Sequence, residues 1–380
     1  MAPQYLVVIF FYAVCVIGAV LVGINTSWRS ASVRSRVGRG VVFTFVGLLA
    51  FEVSSLVALR VNYGYLIYDE TLNPNAWIFE EHPYVVALPI GGRKYTVQGL
   101  EIEHNSLGFR GAEFTNKGTK KRVVTIGGST TYCVDVSNSD TWPARLEKLL
   151  GDGYEVLNLG IPAHSTAEHL YLLGSLVPRL EPDIIIMQVG LNDMHCMHSP
   201  DISPVLNKCH TTLFSNSVGQ CFVTKLPRLA SVRAVVSMMQ NIGFAPKCPK
   251  DPVTRIEIKD LDPRVVDAFN AQTTSLVSIG KGMNAKVILV PQVGFSAAEL
   301  ASGGYRWWTP YLDQASLGNL LKAFNDELRR VAQATGVSYV ESVNYTSWGD
   351  DLFVDASHLS GEGNQKLASL ISESVKARGD

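Results

Sequence analysis

From residue 123 onward, short β-prone runs alternate with longer helical stretches, and that alternation restricts the chain to few architectures. Strands read at 123–126, 155–159, 183–189, 286–290 and 337–340, with helices at 141–150, 166–180, 263–283, 312–335 and 361–377. Strands joined through helices make right-handed crossovers, so a parallel sheet covered on both faces is expected. Ligands of such sheets bind beyond the carboxyl ends of the strands, and the residues there carry the functional reading.

The first strand, Val123-Val124-Thr125-Ile126, runs into Gly127-Gly128-Ser129-Thr130-Thr131. The two glycines permit a tight exit that ends on a hydroxyl. Taken alone, this is equally the pattern of a strand-to-helix turn with a capping serine. After the second strand stands Asn158-Leu159-Gly160, after the third Gly190-Leu191-Asn192-Asp193, and ahead of the last helix Asp355-Ala356-Ser357-His358. Acyl transfer needs a hydroxyl, a base for its proton, an acid to orient the base, and donors for the developing oxyanion. Ser129, His358 and Asp355 fill the first three roles. The Ser129 and Gly160 N–H groups and the Asn192 amide are the expected oxyanion donors.

Those four blocks, in this order, resemble the SGNH hydrolases, also called the GDSL esterase and lipase superfamily. The resemblance covers about residues 100–377. It implies a three-layer α/β/α sandwich with a flavodoxin-like parallel sheet, and metal-free cleavage of carboxylic esters on sugars, lipids or thioesters. It also implies Ser129 as nucleophile, Asp355 and His358 as its partners, and Gly160 and Asn192 as oxyanion donors. The first block reads Gly-Gly-Ser where better-known members have Gly-Asp-Ser, so Gly128 removes a carboxylate beside the nucleophile. The lead-in Asn105-Ser106-Leu107-Gly108-Phe109-Arg110-Gly111 resembles a segment upstream of the first block in a branch of bacterial SGNH proteins. It marks Asn105 and Arg110 as supports of the site or substrate contacts.

The front of the chain has a different character. Apolar runs at 5–24 and 41–59, the second interrupted only by Glu52, are each long enough to cross a bilayer, which takes about 20 residues. A cleaved signal peptide would want a positive leader and a shorter apolar core, so an uncleaved membrane hairpin over residues 1–62 is expected. The connecting loop carries Arg29, Arg34, Arg36 and Arg39 and no acidic residue, which sets it in the cytoplasm and the C-terminal part outside. Glu52 is an intramembrane acid, read here as a protonated carboxyl hydrogen-bonded within the hairpin. Residues 63–121 read as linker and lead-in strands, and 122–380 as the hydrolase domain with an insertion at about 194–261.

A net charge of -1 gives no reason to expect nucleic acid as a partner. The insertion holds Cys196, Cys209, Cys221 and Cys248, which outside the cytoplasm could pair in three ways or stay free, whereas Cys15 and Cys133 are expected reduced. His195, Cys196, His198 and His210 lack a matching ligand spacing, so no metal is expected, and no cofactor. Trp307 and Trp308 could stack on a sugar or acyl chain, or simply pack. The sequence thus reads as a membrane-anchored, extracytoplasmic esterase acting on an acylated glycan or lipid, with O-acetyl esters favoured. An acyltransferase, a lysophospholipase or thioesterase, and a non-catalytic envelope scaffold are the rivals.

Overall fold

The structure, a computed structural model, describes residues 45–55, 79–82, 85, 87–97, 99–113, 117–194, 262–303 and 314–377. The chain divides into two compact units, and the larger comprises Trp77–Ser217 with Asp251–Asp380. In the other unit the described residues are 45–55, which are helical. No helix among the described residues is long and apolar enough to cross a membrane. The expected span at 5–24 lies outside them, as do both ends of the span at 41–59. So do the insertion with its four cysteines and histidines, and Trp307 and Trp308.

The larger unit opens with two antiparallel hairpins. One pairs β1 (Phe79–Glu81) with β2 (Ala87–Pro89), the other β3 (Lys94–Val97) with β4 (Leu100–Glu103). Five strands then form one parallel sheet: β5 (Lys121–Gly127), β6 (Tyr154–Gly160), β7 (Ile184–Gln188), β8 (Lys286–Leu289) and β9 (Ser338–Tyr339), in the order β6-β5-β7-β8-β9. The order reverses between β5 and β7, the kind of switch point where open α/β sheets bind ligands. Each strand lies within a residue or two of its expected place, because a strand buried on both faces is written as an apolar run.

Side-chain alternation along the strands separates two cores. Ile185 and Met187 of β7 and Val124 and Ile126 of β5 face one core. It is closed by α3 (Thr166–Ser175), α4 (Pro263–Gly282) and α6 (Gln314–Thr335). Ile184 and Ile186, with Val123 of β5, face the other core, closed by α2 (Trp142–Leu150) and α8 (Gly361–Lys376). Two short helices, α5 (Ala297–Ser302) after β8 and α7 (Ser342–Tyr345) after β9, complete the order, and three layers result, as expected.

The expected helix over 166–180 is shorter: α3 stops at Ser175, and Val177–Leu180 winds as a 3-10 turn with Pro178 at its start. Proline lacks the N–H that would continue the α ladder. Thr141 caps α2, its Oγ1 accepting from the Ala144 N–H.

Candidate active site

Strand β5 ends at Gly127, and the chain turns at once into the single-turn helix α1 (Ser129–Tyr132). A Cβ on Gly127 would stand 2.1 Å from Thr131 Oγ1 and 2.6 Å from the Gln188 carbonyl oxygen, so only glycine lets α1 fold back over the sheet. Gly128 caps α1 without a side-chain bond, and Ser129 is its first residue. Ser129 therefore does not serve as the helix-capping serine its sequence context equally allows. A Cβ on Gly128 would lie 2.5 Å from Asn192 Nδ2. The missing side chain is thus the space the Asn192 amide occupies.

His358 reaches Ser129 from the far end of the chain. A bridge between Phe353 and Leu359 closes the loop that carries Asp355 and His358, and Ser360 then caps α8, its Oγ accepting from the Gly363 N–H. Ser129 Oγ donates to His358 Nε2 at 2.8 Å, and His358 Nδ1 donates to Asp355 Oδ2 at 2.7 Å. With Asp355 accepting, the proton sits on Nδ1, and the Nε2 lone pair faces the hydroxyl. The other Asp355 oxygen accepts from the N–H groups of Ser357 and His358, both at 2.8 Å. Partial burial works to raise the Asp355 carboxyl, but the imidazole and the two backbone N–H groups overcome it and hold it below the usual range.

Asn192 is buried, and its Nδ2 donates to the His164 carbonyl at 2.8 Å, which leaves the second amide hydrogen for the space beside Gly128. Gly160 departs from its expected role. Its N–H donates to Asn158 Oδ1 at 2.9 Å, and a Cβ there would meet the backbone nitrogen of Tyr132 at 2.3 Å. Gly160 is needed so that α1 can lie across the end of β6, not to present a donor. The position nearer the amide of Asn192 is the turn from Ile161 to His164, closed by the His164 N–H on the Ile161 carbonyl at 3.2 Å. Its third residue, Ala163, has φ 64, the left-handed region usually given to glycine. Pro162 signals the turn in sequence, but an alanine carries no hint of that backbone, and so the position was not legible.

Asn105 and Arg110 are buried, and the side-chain bonds of both go to groups of the protein itself, the pattern of supports. Asn105 Oδ1 accepts from the N–H groups of Leu107 (3.1 Å) and Phe109 (2.9 Å), holding the lead-in turn. Arg110 pairs its backbone with Asn158 on the edge strand β6. Its guanidinium donates to the carbonyls of Tyr132 (2.8 Å), Cys133 and Val136, and to Asn138 Oδ1 (2.9 Å). The Tyr132 and Cys133 carbonyls are ones that the short α1 leaves open at its end. The free thiol of Cys133 is buried there, and burial pushes it up to about 12, so it is inert as a nucleophile.

The model of the GDSL-like lipase/acylhydrolase family matches residues 125–366. The chain belongs to that family. As a GDSL-like acylhydrolase it is a serine ester hydrolase of the SGNH type, and the match spans all four blocks. No curated protein matches the chain. Among solved structures, an acetyl xylan esterase is 14% identical, with 67% of this chain and 99% of that one covered and a TM-score of 0.39. A GDSL-like lipase from Bacteroides thetaiotaomicron VPI-5482 is 16% identical over 67% and 88% of the two chains, TM-score 0.39. An acetylxylan esterase from Geobacillus stearothermophilus is 15% identical over 69% and 99%, TM-score 0.39. Likeness at this level carries no argument about the substrate of this GDSL-like hydrolase.

Proposed function

We propose that the protein is a membrane-anchored, extracytoplasmic esterase that cleaves O-acyl esters, foremost O-acetyl groups of a glycan, through an acyl-Ser129 intermediate. The observation that carries this reading is the unbroken hydrogen-bond chain from Ser129 Oγ through His358 to Asp355. Ser129 Oγ adds to the acyl carbonyl while His358 Nε2 takes its proton. The oxyanion is met by the Ser129 N–H, the free amide hydrogen of Asn192 and the Ala163 N–H, none of them tied to another acceptor among the described residues. His358 then protonates the leaving alkoxide, and water, deprotonated by the same nitrogen, releases the acid.

The surface beside these donors is lined by Gly128, Thr130, His164, Asn192 and Gln292 among others, polar surroundings that favour a small acyl group over a long alkyl chain. Membrane anchoring and the outward placement rest on the two apolar runs and the arginine-rich loop between them. In support, Phe45, Val46, Leu48, Leu49 and Val53 are exposed on the described helix of the second run.

The test is ester hydrolysis by the full chain in detergent, on acyl esters of graded length and on O-acetylated oligosaccharides, beside Ser129→Ala. The expected result is acetyl-ester turnover that falls with chain length and drops by about 10⁴-fold or more in the variant. Preferential capture of the acyl group by an added sugar would make it a transferase, and turnover that rises with chain length would make it a lipase. A Ser129→Ala protein as active as wild type would refute the acyl-serine.

A further inference from the structure

A second carboxylate faces the imidazole. Asp135 Oδ2 stands 3.6 Å from His358 Nδ1, the atom Asp355 holds at 2.7 Å, and the ligand atoms of Asp135, Asp355 and His358 all lie within 4.8 Å of one another. A separation of 3.6 Å is too long for a hydrogen bond and short enough for a direct charge interaction. The turn that carries Asp135 is built for this approach. Cys133 caps α1 with φ 62, a left-handed conformation that a non-glycine residue adopts at some cost, and so swings residues 134–136 back toward the His358 loop. Arg110 then ties down the Tyr132 and Cys133 carbonyls on one side of Asp135 and the Val136 carbonyl on the other.

We propose that Asp135 is a positioning residue that shares with Asp355 the stabilisation of the His358 imidazolium formed when Ser129 is acylated. Asp355 sets the tautomer and orientation, and Asp135 adds a second negative charge near the same Nδ1. This rests on the acyl-serine reading. The groups facing His358 are Ser129 from α1, Asp355 from its own loop and Asp135 from the turn, while Asp135 is itself faced by Arg110 and Asp355. Partial burial raises the Asp135 carboxyl and the Asp355 charge adds to this, against the pull of His358 and Arg110, while its side chain stays 47% exposed. The lead-in segment thereby acquires a function: it locks the turn that presents this carboxylate.

The test is the pH dependence with which a fluorophosphonate probe labels Ser129 in the full chain, for wild type, Asp135→Asn, Asp135→Ser, Asp135→Glu, Asp355→Asn and the double Asn variant. His358 works as a base only when neutral, and a nearby negative charge keeps its proton on. Removing Asp135 should therefore move the acid limb to lower pH by roughly half to one unit and lower the plateau about 3-fold, with Asp135→Glu keeping the wild-type limb. In the Asp355→Asn background, loss of Asp135 should cost roughly 10-fold more than in wild type, because the two carboxylates then no longer back each other up. A merely structural turn would lower the plateau without moving the limb. An unmoved limb in both Asp135→Asn and Asp135→Ser, in a wild type that labels, overturns this inference alone. A folded wild type that is not labelled at Ser129 overturns the acyl-serine reading, and this inference with it.

Discussion

Replacing Arg110 by alanine tests whether the lead-in segment supports the nucleophile or binds substrate. The side chain is 4% exposed and serves four acceptors: the carbonyls of Tyr132, Cys133 and Val136, and Asn138 Oδ1. It also lies over the Tyr132 ring at 4.7 Å. An orphaned buried acceptor costs about 1–3 kcal/mol, and water entering the space left by the side chain recovers part of that, so about 1 kcal/mol per acceptor is a working figure. With about 1 kcal/mol for the lost contact with the ring, the variant should be destabilised by about 5 kcal/mol. For a domain of this size each kcal/mol moves the melting temperature by roughly 2–4 °C, which gives a fall of about 10–20 °C. Arg110→Lys keeps one charged donor but not the planar fork, and should recover less than half. Thermal unfolding of the full chain measures the shift, and steady-state kinetics well below the transition measure the rest. kcat should fall while KM holds, since Arg110 acts through α1. A melting temperature within about 2 °C of wild type, or a large rise in KM at unchanged stability, would refute the reasoning and return Arg110 to the substrate.

Two further outcomes follow from the site. Asn192→Ala should lower kcat by about 10²–10³-fold with little change in KM, the loss expected for one oxyanion donor, as read by the same ester assay. Asp355 is held below its ordinary carboxyl value in the folded protein, so the stability it contributes is fully present above about pH 4 and is lost as pH falls through its folded value. The melting-temperature difference between wild type and Asp355→Asn, followed from pH 7 down to pH 3, should therefore shrink below about pH 4. A difference that stays constant across that range would contradict the assignment.

The division between what the chain wrote openly and what it concealed follows from the range of the interactions. Strands β5 to β8 were legible because each is a buried apolar run bounded by turns, and local composition reports burial directly. Ser129, Asn192, Asp355 and His358 were legible because a chemistry of fixed donors leaves its residue types at successive strand ends. Gly160 departs from its expected role for the same reason: a glycine after a strand looks alike whether it presents its N–H to an oxyanion or makes room for a helix. The contact with the Tyr132 backbone decides between them, and that contact joins two elements. Ala163 at positive φ, Arg110 over the end of α1 and Asp135 beside His358 were likewise invisible, since each depends on a neighbour far along the chain. Sequence alone determined the sheet, its order of helices and the chemical parts. Only the tertiary structure decided which atoms meet, because the distances that make an active site are set by packing between elements that the sequence keeps apart.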